Sequence, residues 1–204
     1  MTFQSPKVAI ICPSLDADRA KATLLKAAST AGIETELIAS HDKDEEGFTK
    51  TVNRGLAVAL GLNVQYICLL NDDTDPDQIG WLARLVQALN ENSKYGIAGP
   101  SGPCRSTPQS SGKPGMKKQV KVIPPECLGF FTAVIKREVL DAVGILDERY
   151  IHYGSDNDLC LRASQLGWRM IWVPDVYIKH DVGSVKHDWQ KLDRVIYRKQ
   201  WGHR

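Results

Sequence analysis

Three short apolar runs alternate with amphipathic segments along the first part of the chain, and this alternation constrains the fold more than any other feature. The apolar runs are residues 7–13, 34–39 and 64–70, and each ends at a proline or at polar residues. Between them, residues 16–31 and 48–60 carry apolar side chains at helical spacing. Alternation of strands and helices is typical of a parallel sheet covered by helices. We therefore predict an α/β domain with a mostly parallel central sheet.

A segment rich in proline, glycine and serine interrupts this pattern at residues 100–125. A loop of this length inside a compact domain is usually functional or mobile, so we expect it to close over a bound ligand. The elements predicted around it are a helix at 79–89, strands beginning at 96 and 128, helices at 137–143 and 156–166, and a strand at 168–173 that Pro174 ends, with 177–180 as its candidate extension.

Composition excludes several classes of protein. The chain has 204 residues, 43% of them hydrophobic and 25% charged, which fits one globular domain. Its net charge of +2 is too small to indicate a nucleic-acid partner. No apolar run approaches the roughly 20 residues of a membrane helix, and the N-terminus lacks the features of a secretory signal. Five scattered cysteines without a CxxC pair fit a reducing, cytoplasmic location.

Absent motifs exclude further activities. The sequence has no GxGxxG after its first strand and no GxxxxGK[ST], so neither dinucleotide nor P-loop binding is indicated. It also lacks GxSxG, the signature of many serine hydrolases.

An acidic cluster directly after the third strand is the strongest candidate for chemistry. It reads Asn71-Asp72-Asp73-Thr74, and ligands of parallel sheets bind beyond such strand ends. Carboxylates there make an oxygen-rich site suited to Mg²⁺ or Mn²⁺, completed by substrate phosphates. The alternative role of such acids is to cap the next helix, which we expect of Asp75 and Asp77.

Two later features leave alternatives open. Asp156 and Asp158 begin a helix, where an acid either caps the helix or serves as a general base. His180 ends a late strand, where it is either a structural residue or a metal ligand. Spacing alone does not choose between these roles.

Taken in order, these stretches resemble the family 2 glycosyltransferases, which have the GT-A fold. The likeness extends over about residues 7–185. The matching stretches are 47–55 (GF-x-x-x-x-N-x-G), 71–74 (the DxD motif), 128–148 (ending in G-x-x-DE), 155–162 (ED-x-D-L-x-x-R) and the later Gly167, Trp168, Pro174 and His180.

The resemblance implies a fold and an activity. The fold is a single Rossmann-like three-layer domain over residues 1–185, followed by a basic amphipathic tail at 186–204. The activity is transfer of a sugar, with inversion, from a UDP- or dTDP-sugar to the hydroxyl of a glycan, lipid-linked or small-molecule acceptor. The implied cofactor is Mn²⁺ or Mg²⁺.

The resemblance also assigns roles to residues. Asp156 is the catalytic base, and Asp73 and His180 bind the metal. The residues expected around the nucleotide sugar are Pro13, Ser14, Asp42, Asn53, Asn71, Asp72, Asp73, Gly129 and Ser155.

One departure from the family keeps a second function open. Ser155 stands where the family has Glu, which leaves the alternative of a degenerate module that binds sugar nucleotide or glycan without turnover. A sugar nucleotidyltransferase is less favoured, because its first strand would lead into a glycine-rich, arginine-containing loop, which residues 13–18 do not provide.

The tail has two candidate roles. It carries six basic residues against two acidic ones, together with Trp189 and Trp201. We expect a helix packed on the domain, and the alternative is contact with an anionic membrane surface.

Overall fold

The computed structural model describes residues 7–104, 107–111, 119–181 and 187–202. Six helices and nine strands lie in these ranges, with two short 3₁₀ turns at Pro108–Ser111 and Pro125–Cys127. In chain order the elements are β1 (Val8–Ser14), α1 (Ala17–Thr30), β2 (Thr35–His41), α2 (Phe48–Leu60), β3 (Tyr66–Leu70), β4 (Thr74–Asp75), α3 (Trp81–Asn90), β5 (Tyr95–Ser101), β6 (Lys121–Ile123), β7 (Thr132–Lys136), α4 (Arg137–Val143), α5 (Ser155–Gln165), β8 (Arg169–Tyr177), β9 (Lys179–His180) and α6 (His187–Trp201).

Seven strands form the central sheet, in the order β2-β1-β3-β7-β5-β8-β6. Strand β1 is parallel to β2 and β3, and β5 is parallel to β8. Strand β7 is antiparallel to both of its neighbours, and β6 is antiparallel to β8. Only β7 and β6 therefore oppose the direction of the other strands, and the predicted mostly parallel sheet is confirmed.

Helices cover both faces of the sheet. One buried cluster joins Ile10 and Cys68 of the sheet to Leu24 of α1 and Trp81 of α3. The cluster on the other face joins sheet residues to α2, α4 and α5 through Leu56, Val139, Leu140 and Leu159. All residues of β1 and β3 are buried, and successive side chains point alternately into one cluster and the other. The domain is therefore built of three layers.

Local sequence features explain the start of α1 and the close packing of α2 on the sheet. Asp16 precedes α1, and its carboxylate accepts the backbone N–H groups of Asp18 and Arg19. Helix α2 lies close to the sheet because Gly55 has no side chain, since a Cβ there would lie 2.3 Å from the Cγ2 atom of Ile11. This explains the glycine that ends the GF-x-x-x-x-N-x-G stretch.

The prediction that Pro174 ends the eighth strand was wrong. Strand β8 continues to Tyr177, and its register with β5 shifts between the Pro100–Val173 and Ser101–Tyr177 pairs. A proline cannot donate a hydrogen bond to a neighbouring strand, and an irregular pairing of this kind accommodates it.

Two other segments differ from the sequence prediction. The strand predicted at 128–136 begins only at Thr132, and residues 128–131 form a loop. The segment 100–125 contains the short edge strand β6 as well as a 3₁₀ turn. Residues 105–106 and 112–118 of that segment lie outside the described residues, so its predicted closure over a ligand stays a prediction. Among the helices of the described ranges, none has the length and apolarity needed to cross a bilayer.

Candidate active site

The C-terminal ends of the neighbouring strands β1 and β3 bring Ser14 and Asp72 together. The Ser14 hydroxyl donates to the Oδ2 atom of Asp72 over 2.5 Å. The backbone oxygen of Asp72 accepts bonds from Thr23 Oγ1 and Arg19 Nε, at 3.0 and 3.2 Å. Helix α1 therefore holds Asp72 in place, and the two predicted donor-binding residues share one edge of the sheet.

Asp73 and His180 meet through a small two-stranded ribbon. Strands β4 and β9 are antiparallel, with Thr74 opposite His180, and the Asp73 carbonyl accepts the Asp181 N–H over 2.9 Å. This places His180 Nε2 3.1 Å from Asp73 Oδ1. The imidazole stacks on the ring of Phe131, with centroids 5.1 Å apart and planes at 10°. The two predicted metal ligands thus lie side by side.

The Asp73–His180 pair fits part of a metal coordination shell. Asp73 Oδ1 and His180 Nδ1 are buried atoms without a hydrogen-bond partner, as is Asn71 Oδ1. Adjacent ligands of an octahedral ion bound at about 2.1 Å lie about 3.0 Å apart, close to the observed separation. Within the described ranges, no three or more acidic, histidine or cysteine side chains form a metal-binding group. The pair therefore suits Mg²⁺ or Mn²⁺ bound jointly by protein, water and phosphate oxygens.

Asp156 lies in the first turn of α5 and is half-buried. Its Oδ1 atom accepts the N–H of Asn157 over 2.8 Å, and the backbone N–H of Phe130 also bonds to the carboxylate. Desolvation raises the pKa of Asp156, although these N–H groups oppose that shift. A raised pKa is typical of carboxylates that exchange protons with a substrate.

Asp158, the second acid of α5, has a different environment. It is fully buried, and its Oδ2 atom accepts Arg162 Nε over 2.8 Å. Arg162 in turn donates to the carbonyl oxygens of Val143 and Ile145. Through Arg162, Asp158 therefore fixes residues 143–145 to α5. Of the two acids that begin this helix, Asp156 is the one suited to proton transfer.

Two consecutive phenylalanines connect the Asp73–His180 pair to Asp156. Phe131 stacks under His180, and its carbonyl accepts the Asn71 N–H over 2.9 Å. Phe130 contacts the Asp156 carboxylate through its backbone N–H. Both residues fall within the strand predicted to begin at 128, so their place in the site was not predicted. The signal that could have shown it is Gly129, which breaks the apolar run just before them.

Asp42 and Asn53, two residues of the predicted donor-binding set, form hydrogen bonds to the backbone of loops. The Asp42 carboxylate accepts the N–H groups of Glu46 and Gly47, both over 2.9 Å. Burial by itself would raise the pKa of Asp42, but these bonds hold it below its usual value. The Asn53 amide donates to the Leu146 carbonyl and accepts the Leu146 N–H.

The last three predicted donor-binding residues are also largely enclosed. Pro13 is a buried residue of β1. The Gly129 N–H donates to Gln109 Oε1 over 2.8 Å, and a Cβ at Gly129 would lie 2.6 Å from Cys104 Sγ. Ser155 is 1% exposed, and its hydroxyl oxygen is buried without a hydrogen-bond partner. The structure therefore brings Ser14 to Asp72 and Asp73 to His180, whereas the described contacts of Asp42, Asn53 and Gly129 are with other loops.

Comparison with solved structures identifies the fold. The chain superimposes on GalNAc-T7 with UDP, GalNAc and Mn²⁺ at a TM-score of 0.65 and 11% identity, covering 88% of this chain and 44% of that one. It also superimposes on the mannosyltransferase PcManGT from Pyrobaculum calidifontis, in complex with GDP-Man and Mn²⁺. The TM-score is 0.66 and the identity 15%, and the match covers 95% of this chain and 61% of that one. The chain has the GT-A fold.

Sequence comparison adds a distant relative. The chain is 29% identical over 182 residues to the uncharacterized protein y4gI of Sinorhizobium fredii (strain NBRC 101917 / NGR234), covering 78% of this chain. It spans only 20% of that protein's length. No family model matches the chain.

Proposed function

We propose that this chain is a metal-dependent, inverting glycosyltransferase of the family 2 type. It moves a sugar from a UDP- or dTDP-sugar to an acceptor hydroxyl. The observation that carries this proposal is the Asp73–His180 pair at the strand ends, joined through Phe130 and Phe131 to Asp156. The presence of UDP or GDP-Man with Mn²⁺ in two structures of the same fold supports it.

On the donor side, the chain supplies fixed polar groups. Asp72, held by Ser14 and α1, presents a carboxylate for the ribose or a phosphate-bound ion. Asp73 and His180 would hold Mn²⁺ or Mg²⁺. When bound, such an ion neutralises the charge that develops on the departing diphosphate.

On the acceptor side, Asp156 removes the proton from the attacking hydroxyl. Burial keeps its pKa above that of an exposed aspartate, so the carboxylate is a stronger base than usual. Retention by double displacement needs a second carboxylate as nucleophile. Asp158 is paired with Arg162 and fully buried, so a single displacement with inversion is the favoured course.

The test compares Asp156→Asn with a matched control, Asp141→Asn. Asp141 lies on the exposed side of α4 and forms an ion pair with Arg137 over 3.6 Å. Donor binding is measured by calorimetry, and turnover as release of nucleoside diphosphate by hydrolysis of the donor, with water as the acceptor hydroxyl, across a panel of UDP- and dTDP-sugars with Mn²⁺. We expect Asp156→Asn to bind donor within about threefold of wild type and to lose roughly 10²–10⁴-fold in turnover.

The remaining outcomes are distinct. Asp141→Asn should match wild type. Wild-type protein that binds donors but never turns them over would support the binding module instead. Full turnover by Asp156→Asn would remove that residue from the role of base.

A further inference from the structure

The C-terminal helix α6 holds the loop that leads to Asp156. The Asp193 carboxylate of α6 accepts the backbone N–H groups of Ile151, His152 and Tyr153, at 2.7, 2.9 and 2.8 Å. Asp193 is 1% exposed. A buried charge is costly unless it is bonded, and three successive N–H groups form a suitable anion nest. These bonds therefore fix the backbone of residues 151–153 to the helix.

A second contact joins α6 to the start of α5. Gln200 Nε2 and Trp201 Nε1 both donate to the Oδ1 atom of Asp158, at 2.7 and 3.0 Å. Asp158 is two residues beyond the proposed base. Helix α6 thus contacts both the loop before Asp156 and the helix turn that carries it.

The loop fixed by Asp193 faces the site. The His152 ring lies edge-on to Phe48, with centroids 5.8 Å apart, and 6.0 Å from the ring of Trp189. The imidazole is also close enough to Asp73 to interact with its charge. Residues 151–153 therefore lie between α6 and the Phe48 end of α2, within reach of the charge of Asp73, and the same loop leads into Asp156.

We propose that Asp193 is a positioning residue for sugar transfer, which rests on the function proposed above. By accepting three N–H groups, it sets the loop that places Asp156 and the acceptor relative to the donor. An asparagine there has one acceptor oxygen in place of two and turns an NH₂ group toward backbone donors. Loosening the loop by about 1 Å is enough to lower turnover up to about 10²-fold. The donor side is held by β1, β3 and the β4–β9 ribbon, so donor binding is unaffected.

The experiment compares Asp193→Asn with Asp188→Asn, which removes the same charge from an exposed position of the same helix. Hydrogen exchange at the amides of 151–153 measures the loop without any substrate. Donor affinity and release of nucleoside diphosphate are measured with Mn²⁺ and the UDP- or dTDP-sugar that wild type binds best. For Asp193→Asn we expect faster exchange at 151–153, a donor Kd within about twofold of wild type, and a 10–100-fold fall in kcat.

Other results separate the two proposals. Faster exchange with unchanged kcat, or unchanged exchange, would overturn the positioning role. If wild type binds and cleaves no nucleotide sugar, the proposed function fails, whatever the exchange data show for the loop. If Asp193→Asn does not fold, Asp193→Glu decides, because it keeps the charge but moves the carboxylate by one methylene. A lower kcat at unchanged donor Kd supports the role, and wild-type kcat overturns it.

Discussion

Asp156 and Asp158 begin the same helix turn, yet their surroundings give them opposite properties. Asp158 is enclosed with Arg162 and with donors from α6, so its charge is compensated. Asp156 is desolvated and, among the described residues, its hydrogen-bond donors are backbone N–H groups and not a cation. At the scale of single residues, this difference gives Asp158 a structural role and supports the proposed role of Asp156 in proton transfer.

The environment of Asp156 predicts the pH dependence of turnover. The base acts in its deprotonated form, and its pKa is raised by desolvation. Turnover should therefore fall as the pH decreases, with a midpoint above the value of about 3.9 for an exposed aspartate. The measurement is kcat at saturating donor between pH 3 and 8, with donor Kd over the same range as the control. A midpoint at or below 3.9 would contradict the assignment.

At the scale of elements, the sequence predicted what depends on local periodicity. Helix α2 begins and ends where the spacing of Val52, Leu56 and Ala59 placed it, because these side chains form one buried face. Strands β1 and β3 were also predicted from the sequence, because a strand that is buried on both faces is a continuous apolar run.

Elements that depend on distant partners were not predicted. The β4–β9 ribbon joins Thr74 to His180, and neither two-residue strand has a periodicity of its own. Pro174 stays inside β8 only because the pairing with β5 is irregular there. The sequence marks Asp193 only as an acid inside a basic amphipathic segment. Its role could not be predicted, because its three backbone partners lie forty residues or more away along the chain.

The hydrogen bonds of Asp42 in the loop between β2 and α2 predict a contribution to stability that depends on pH. Asp42 is buried and bonded to two loop N–H groups, which keep its pKa below the usual value. Asp42→Asn should lower the free energy of unfolding by about 1–3 kcal/mol at pH 7. Because the folded pKa is lowered, this contribution is present above the unfolded pKa of about 3.9 and is lost as the pH falls through the folded value.

Urea unfolding at pH 7 and at stepwise lower pH measures this difference. Asp44→Asn, at an exposed position of the same loop, is the control and should match wild type. A destabilisation of Asp42→Asn that stays constant to the lowest pH at which both proteins fold would contradict the role of the ionised carboxylate.

At the scale of the whole molecule, the site lies where strands from distant parts of the sequence end together. The ends of β1 and β3 carry Ser14 and Asp72, the β4–β9 ribbon adds His180, and the loop before β7 connects these to α5. Helix α6 contacts the loop before α5 and Asp158 in the first turn of α5. The proposed division into a donor side and an acceptor side follows from which elements support each group.

The most direct test of this account is donor binding with and without metal. Thermal unfolding is followed with UDP- and dTDP-sugars in Mn²⁺, Mg²⁺ or EDTA, for wild type and for Asp73→Asn. A ligand that binds only the folded state raises the melting temperature by mass action. We predict a rise for one or two donors with metal, which EDTA and Asp73→Asn each abolish. No rise with any donor in folded wild type, or an equal rise in EDTA, would contradict a metal-dependent nucleotide-sugar site.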